Sequence, residues 1–316
     1  MHSCEEPLFR VFNNKKHCAI FDEKKTLMKI IIQRILAIAT VVFLSLGLNY
    51  ATTLDIISPQ AAVVGFHVLL IIYAIQLLVF LISYALKTEH YYDLTGGITF
   101  ISVMVYALYQ NQLQDRLDYR SIVLGSLILL WAIRLSSFLF MRVKKVGKDS
   151  RFDKIKTNFT RFMLAWALQG FWVFMCTLPA ITAIASESKE VDYYLIGGAT
   201  LWSFGFLVEV ISDRQKSKFN QDPKNKVKFM STGLWALSRH PNYVGEVLLW
   251  TGIAFISLPT FSGWQYLALI SPVFTYLLLT RVSGVNLLEE SADKKWGADK
   301  DYIEYKEKTS VFFPFL

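Results

Sequence analysis

A chain of 316 residues that is 53% hydrophobic and only 18% charged has more apolar surface than a water-soluble globule can hide, since about a quarter of the residues in such domains are charged. The net charge of +8 does not mark a nucleic-acid-binding face, because the basic residues fall between apolar runs. Three cysteines (Cys4, Cys18 and Cys176) exclude a disulfide framework, and His2, Cys4, His17 and Cys18 match no zinc spacing, so no metal site is expected.

The composition predicts an all-α, polytopic transmembrane bundle. The leader, Met1–Lys29, carries both charge signs, unlike a cleavable signal peptide or a mitochondrial transit sequence. Eight apolar runs follow, each near the roughly 20 residues that a bilayer core requires. They are Ile30–Tyr50, Ala61–Leu86, Leu94–Tyr109, Ser121–Met141, Phe162–Ala185, Tyr193–Ile211, Val244–Leu258 and Trp264–Thr280. The third, seventh and eighth are short. With both termini cytoplasmic, 27 Lys/Arg fall on the cytoplasmic side and 3 (Arg116, Arg120 and Lys189) on the other. This asymmetry supports eight crossings, or seven to eight, because a missed span would scramble it. The chain then divides into the leader 1–29, N-terminal spans over 30–90, and a larger transmembrane unit over 91–316.

Several residues stand out within the runs. Gly96–Gly97 and Gly197–Gly198 lie at or near span starts, where small residues permit close helix packing. Arg134 falls in mid-span and needs a partner, Asp93 or Glu209. Glu209 and Asp213 lie four apart on the sixth span. Gln169 suits either interhelical hydrogen bonding or a cavity wall, and Cys176 is expected as a small core residue. Tyr50, Tyr91, Tyr92 and Trp264 read as interfacial anchors. Asp149 and Arg151 are candidates for a gate on the basic loop after the fourth span.

No G-x-G-x-x-G, P-loop or H-E-x-x-H is present. The most informative stretch is Ser231–Gly252. A basic loop runs into Arg239, His240, Pro241, Asn242 and Tyr243, and a span then opens with Gly245 and Glu246. Pro241 suits the first turn of a helix, because its missing N–H would be unpaired there in any case. That start puts Asn242 and Glu246 on one face at the cytoplasmic mouth. Glu246 enters the apolar layer, which makes it a functional candidate. Free N–H groups at the helix start, with Arg239 and His240, are placed to receive phosphate.

Ser238–Glu246 (SRHPNYVGE) followed by an apolar run resembles the C-terminal domain of the steroid 5α-reductase superfamily. Membrane sterol reductases share that domain, and isoprenylcysteine carboxyl methyltransferases share it more distantly. Two further blocks carry the resemblance: Trp131–Phe152 with Gln169–Pro179, and the tail Arg281–Pro314, with its double acid, Trp-Gly and two tyrosines. The match runs from about Asp93 to Pro314.

The resemblance implies a reductase of the endoplasmic reticulum that uses NADPH on a conjugated carbon–carbon double bond of a lipophilic, steroid- or sterol-type substrate. Asn242 and Glu246 would hold the nicotinamide end. Arg239, His240 and Tyr243 would flank the phosphates or ribose, Asp213 would line the cofactor pocket, and Tyr302 and Tyr305 would close over the nucleotide. Glu246 is also expected to be catalytic, with Tyr106 as the donor to the substrate carbonyl and Tyr73 and Tyr84 as alternatives. The chain departs from the steroid 5α-reductases proper, which lack its His-Pro, and no acid pair in its early spans aligns with theirs. Two other readings stay open. One is an S-adenosylmethionine-dependent methyltransferase of a lipidated thiol; the other is a non-catalytic subunit that keeps the fold.

Overall fold

The computed structural model describes residues 6–313 apart from Ile57, Lys148 and Ser188, with side chains from Lys24 onward except Val146 and Ser150. His2 and Cys4, and the side chains of His17 and Cys18, therefore lie outside the described residues, as does Pro314. Among the described residues the secondary structure is entirely helical.

The principal helices are α1 (Glu6–Thr53), α2 (Pro59–Ala85), α3 (Tyr92–Leu113), α4 (Tyr119–Val146), α5 (Phe159–Ala185), α6 (Tyr193–Gln221) and α7 (Pro241–Ser257). Two short helical turns lead into α8 (Ile270–Leu277), and α9 (Val285–Trp296) and α10 (Lys300–Lys308) form the tail. Their boundaries follow ordinary capping chemistry. Ser58, Asp118, Asn158 and Asp192 each accept a backbone N–H of the first turn of the helix they start. Gly147 closes α4 in the left-handed conformation.

Among the described residues, seven segments are long and apolar enough to cross a membrane: Lys24–Thr53, Pro59–Ala85, Tyr119–Lys145, Phe159–Ala185, Tyr193–Gln221, Pro241–Thr260 and Gly263–Trp296. The protein is therefore a multi-pass integral membrane protein. The third predicted span, α3, falls short on apolarity because it carries buried polar side chains, among them Thr95, Thr99 and Asn111. Its 22 residues extend about 33 Å and pack against α2, α4 and α5, so length and packing suit an eighth crossing.

α5 is the central post, its second half buried on all sides from Val173 to Ala185. Around it Phe100, Trp131, Trp172 and Trp250 interlock, with ring centroids 4.8–5.9 Å apart. Cys176 is buried here as expected, its Sγ 3.7 Å from the Thr275 hydroxyl. Gln169 binds helices together, donating to the Tyr92 carbonyl at 3.0 Å. Tyr92 is not an interfacial anchor: its hydroxyl donates to the Ala165 carbonyl, and its ring packs between Phe152 and Trp166. The other three, Tyr50, Tyr91 and Trp264, are exposed.

The tightest helix pair is α6 with α7. A Cβ on Gly245 would stand 2.5 Å from the Gly205 carbonyl oxygen and 2.6 Å from the Glu209 nitrogen. One on Gly252 would stand 2.7 Å from the Gly198 carbonyl oxygen. The two backbones thus touch at two levels seven residues apart, as small residues allow in lipid. At Gly197–Gly198, Gly198 makes the contact with α7; at Gly96–Gly97, Gly97 packs on Ser136 of α4. Gly245→Ala is expected to force α6 and α7 apart at a cost of about 1–3 kcal/mol. The change should appear as a lower melting temperature of the detergent-solubilised protein, and an unchanged melting temperature would contradict this packing.

Candidate functional site

The α6–α7 contact decides which polar groups meet. One turn beyond Gly205, Glu209 lies buried against α7, and Asp213 follows one turn nearer the cytoplasm. Arg134, from α4, spans the two acids: its Nη1 donates to Glu209 at 2.6 Å and its Nη2 to Asp213 at 2.7 Å. The second oxygen of Glu209 accepts the Trp131 Nε1–H at 3.0 Å. Glu209, not Asp93, is thus the partner of Arg134, and Asp213 is a second one. Removing the guanidinium would leave two buried carboxylates unpaired.

Glu246, on the facing side of α7, is only 9% exposed and lies within electrostatic reach of Glu209, Asp213 and Arg134. Among the described residues no donor hydrogen-bonds to it. Asn242, one turn nearer the cytoplasm, is half-buried. Tyr243 is within electrostatic reach of Glu246, Asp213, Arg142 and Arg151. Arg142 also acts on Asp213, as does Lys216, whose ammonium lies over the Trp235 ring at 4.2 Å. The mouth of the bundle therefore has an acidic interior and a basic rim.

Arg239 and His240 are not free phosphate ligands. Both engage Glu289 of α9: Arg239 through Nη1, and His240 through Nε2 at 2.9 Å. Because a carboxylate only accepts, His240 Nε2 carries the proton and Nδ1 is left as a buried acceptor without a partner. The imidazole is 4% exposed and stacks on Tyr243. Burial pulls its pKa below the ordinary 6.5, against the hydrogen bond it donates to Glu289. Arg239 Nε is likewise buried and unpartnered. These two orphaned atoms and the free Glu246 carboxyl, beneath the basic rim, fit a ligand with an anionic end and a hydrogen-bonding ring.

Tyr302 and Tyr305 have structural duties in the tail. Tyr302 donates to Asp293 at 2.9 Å and Tyr305 to the Trp235 carbonyl at 2.7 Å, and both rings pack on Phe229. They fasten α10 over the 226–235 loop and, in these positions, do not meet Asn242 or Glu246. Lys306 adds ion pairs to Asp293 at 2.6 Å and Glu289 at 3.5 Å. Glu289, visible in the sequence only as half of a double acid, is therefore the hub joining the tail to the start of α7.

The early-span tyrosines diverge. Tyr106 meets His67 through its hydroxyl at a lipid-facing position, about 9 Å farther along α3 than Phe100 of the aromatic core, so the structure does not bring it to Glu246. Tyr84 packs on Phe80 and Phe159. Tyr73 faces α5 at Gly170 and hydrogen-bonds Ser45 at 2.7 Å. Beside it lies Gln76, a residue sequence reasoning passed over. It is buried, donates to Thr99 at 3.1 Å, and leaves its Oε1 unpartnered. A glutamine in mid-span was the available signal.

On the α4–α5 loop, Asp149 takes Arg151 Nε at 2.9 and 3.0 Å. The Asp149 N–H donates to buried Glu89, which also pairs with Lys156 at 2.6 Å. Burial works to raise the pKa of Glu89, but the Lys156 hydrogen bond, the backbone N–H donors and the Lys156 charge together outweigh it and hold the carboxyl below its usual range. The loop is thereby pinned at the rim of the mouth.

Glu289→Gln is expected to loosen the tail and expose Lys294, Lys295 and Lys300 to limited trypsin digestion, with the bundle still inserted. The His240 contact gives a pH signature as well. A folded-state pKa below 6.5 means that the unfolded chain binds the proton more readily. The stability from burying the neutral imidazole is therefore complete above about pH 6.5 and is lost as pH falls through the folded value. Melting temperatures from pH 8 to pH 5 should decline at the acid end more in the wild type than in His240→Gln; equal declines would contradict the assignment.

Comparison with known proteins agrees with this architecture. Over 135 residues, 42% of this chain, it is 28% identical to 3-oxo-5-alpha-steroid 4-dehydrogenase 1 of Bos taurus, covering 47% of that protein. Over 86 residues, 27% of this chain, it is 29% identical to a probable O-methyltransferase, ustE, of Ustilaginoidea virens, covering 30% of it. The chain thus spans less than half the length of either curated relative. A family match covers residues 79–309, from the last two turns of α2 into the tail and including every residue of the acidic cluster and its rim. On that match the chain belongs to the family described as "Protein of unknown function (DUF1295)", a steroid 5α-reductase-like family.

Proposed function

We propose that the protein is a membrane oxidoreductase that reduces a conjugated carbon–carbon double bond of a lipophilic substrate with NADPH, in the endoplasmic reticulum. The observation that carries this reading is the combination of an unpartnered buried carboxyl, Glu246, with basic groups at the mouth, Arg142 and Lys216, beside Arg151, which Asp149 holds. A dinucleotide phosphate has the matching halves: an anionic backbone for the rim and a carboxamide-bearing ring for Asn242 and Glu246. S-adenosylmethionine, the alternative suggested by similarity to a methyltransferase, carries no phosphate and offers the rim only a single carboxylate.

In this reading NADPH supplies hydride from its nicotinamide ring. The protein positions and shields. The rim would hold the phosphates, Asn242 and Glu246 would orient the ring, and His240 Nδ1 would accept a hydrogen bond from a ribose hydroxyl. Phe100, Trp131 and Trp250 keep water from beneath, so that hydrogen bonds to developing charge act at low dielectric. A substrate entering from the bilayer meets the ring along the α2–α3–α5 side, where Tyr73 and Gln76 face the interior.

The test is thermal-shift titration of the solubilised protein with NADPH and with S-adenosylmethionine. NADPH is expected to stabilise it, by about 2.7 kcal/mol at one hundred times Kd. Glu246→Gln and Asn242→Ala should each weaken that effect while the protein remains in the membrane. Stabilisation by S-adenosylmethionine alone would overturn the reading.

A further inference from the structure

The connections at the end of the bundle away from the acidic cluster converge on one cavity of about 360 Å³. Its walls come from the α1–α2 turn, the α3–α4 turn at Arg116, the α5–α6 loop and the link between α7 and α8. The volume lies near the lower end of the roughly 300–1,000 Å³ usual for ligand sites, room for a head group but not for a whole lipid. Four charged side chains line it: Asp55, Arg116, Glu187 and Lys189. Two of the three basic residues that the sequence puts at this end thus share one cavity. Among the described residues none of the four forms an ion pair, whereas neighbouring Arg120 does, with Asp192 at 3.1 Å.

The backbone holds two of these charges in place. Arg116 Nη2 donates to the Ala185 and Ser186 carbonyls at 3.2 and 2.6 Å, which fixes the guanidinium against the C-terminal end of α5. Its Nη1 is buried and has no partner. A guanidinium so held is a planar donor fork with one prong unused, which suits a phosphate. On the facing wall, Asp55 Oδ2 accepts the Trp264 N–H at 2.6 Å. Gly263, with φ of +49°, lets the turn come that close, because a Cβ there would run into the Asp55 carboxylate.

We infer that this cavity takes the head group of a phospholipid carrying both a phosphodiester and a primary ammonium, as in phosphatidylethanolamine, from the leaflet at this end. Arg116 and Lys189 receive the phosphate. Asp55 and Glu187 receive the ammonium, whose N–H groups their oxygens accept. A purely anionic ligand would set its charge beside two carboxylates, and a purely cationic one beside two cations. Tyr50 and Trp264 stand exposed at this level, where such rings mark the boundary between lipid and water. Leu54 is exposed beside them, and Leu267 and Ile270 follow deeper into the bundle, an apolar track for acyl chains. The inference is independent of the cofactor reading, since it concerns the opposite end of the molecule.

The test is native mass spectrometry of the full-length chain in mild detergent, with added dioleoyl phosphatidylethanolamine, dioleoyl phosphatidylglycerol or soluble phosphoethanolamine. The wild type should hold the ethanolamine lipid about tenfold more tightly than the glycerol lipid. Asp55→Asn and Glu187→Gln should each reduce that preference, and Arg116→Gln should weaken both lipids. Equal retention of the two lipids, retention of neither, or a preference that survives the carboxyl substitutions overturns the inference. So does binding of phosphoethanolamine without lipid, which would mark a site for a soluble zwitterion. Asp55 and Arg116 also hold backbone, so their variants may not fold. Glu187→Gln and Lys189→Gln, on exposed side chains, then decide: the first should lose the preference and the second should weaken both lipids.

Discussion

Backbone contact between α6 and α7 is the constraint from which the chemistry of this protein follows. Glycines at both levels of the contact let the helices touch, and the touch sets Glu209 and Asp213 of one helix opposite Glu246 of the other. Carboxylates gathered in a lipid-embedded interior need compensation, and the fold supplies only part of it. Arg134 forks between two acids and Trp131 completes one of them. The third is left open, at the place where the bundle meets the cytoplasm. Two other buried charges have ionic partners: Arg120 with Asp192 and two backbone carbonyls at the opposite end, and Glu89 with Lys156 beneath the α4–α5 loop. An uncompensated group amid compensated ones is a strong structural pointer to a ligand.

The tail makes the cytoplasmic side of that opening. Glu289 holds Arg239 and His240 immediately before α7 begins, and α10 is pinned by Lys306, Tyr302 and Tyr305. Residues that resemble ligand contacts in the primary sequence therefore act one step removed. Arg239 and His240 present only the edges that Glu289 leaves free, and the two tyrosines fix the strap through which Glu289 is delivered. Positive charge at the rim comes instead from the ends of α4 and α6 and from the α4–α5 loop.

Much of the bundle was legible from residues alone, for a physical reason. Lipid demands long apolar helices, so most span limits are written in local composition. The expectations for Pro241 and Cys176, and a partner for Arg134, follow from equally local rules. α3 was harder, because its inward face carries threonines and an asparagine that dilute its apolarity. Side-chain partnerships over long separations were not legible. Nothing near Glu289 announces its bond to His240, 49 residues earlier, and nothing near Tyr106 announces His67. Tyr92 misled for a related reason: an aromatic residue at a span end reads as an anchor until the neighbouring helix supplies Ala165 as an acceptor.

The central claim is that a dinucleotide binds at the mouth formed by α4, α6 and α7, above Trp131 and Trp250 and beside Trp235. Energy transfer from tryptophan to bound NADPH measures this directly, because those indoles lie within a few turns of the assigned ring and rim positions. Excitation of the solubilised protein should produce nicotinamide emission that saturates with added NADPH, is displaced by NADP+, and falls when Trp250 is replaced by Phe. A folded protein that shows no saturable transfer would contradict the account.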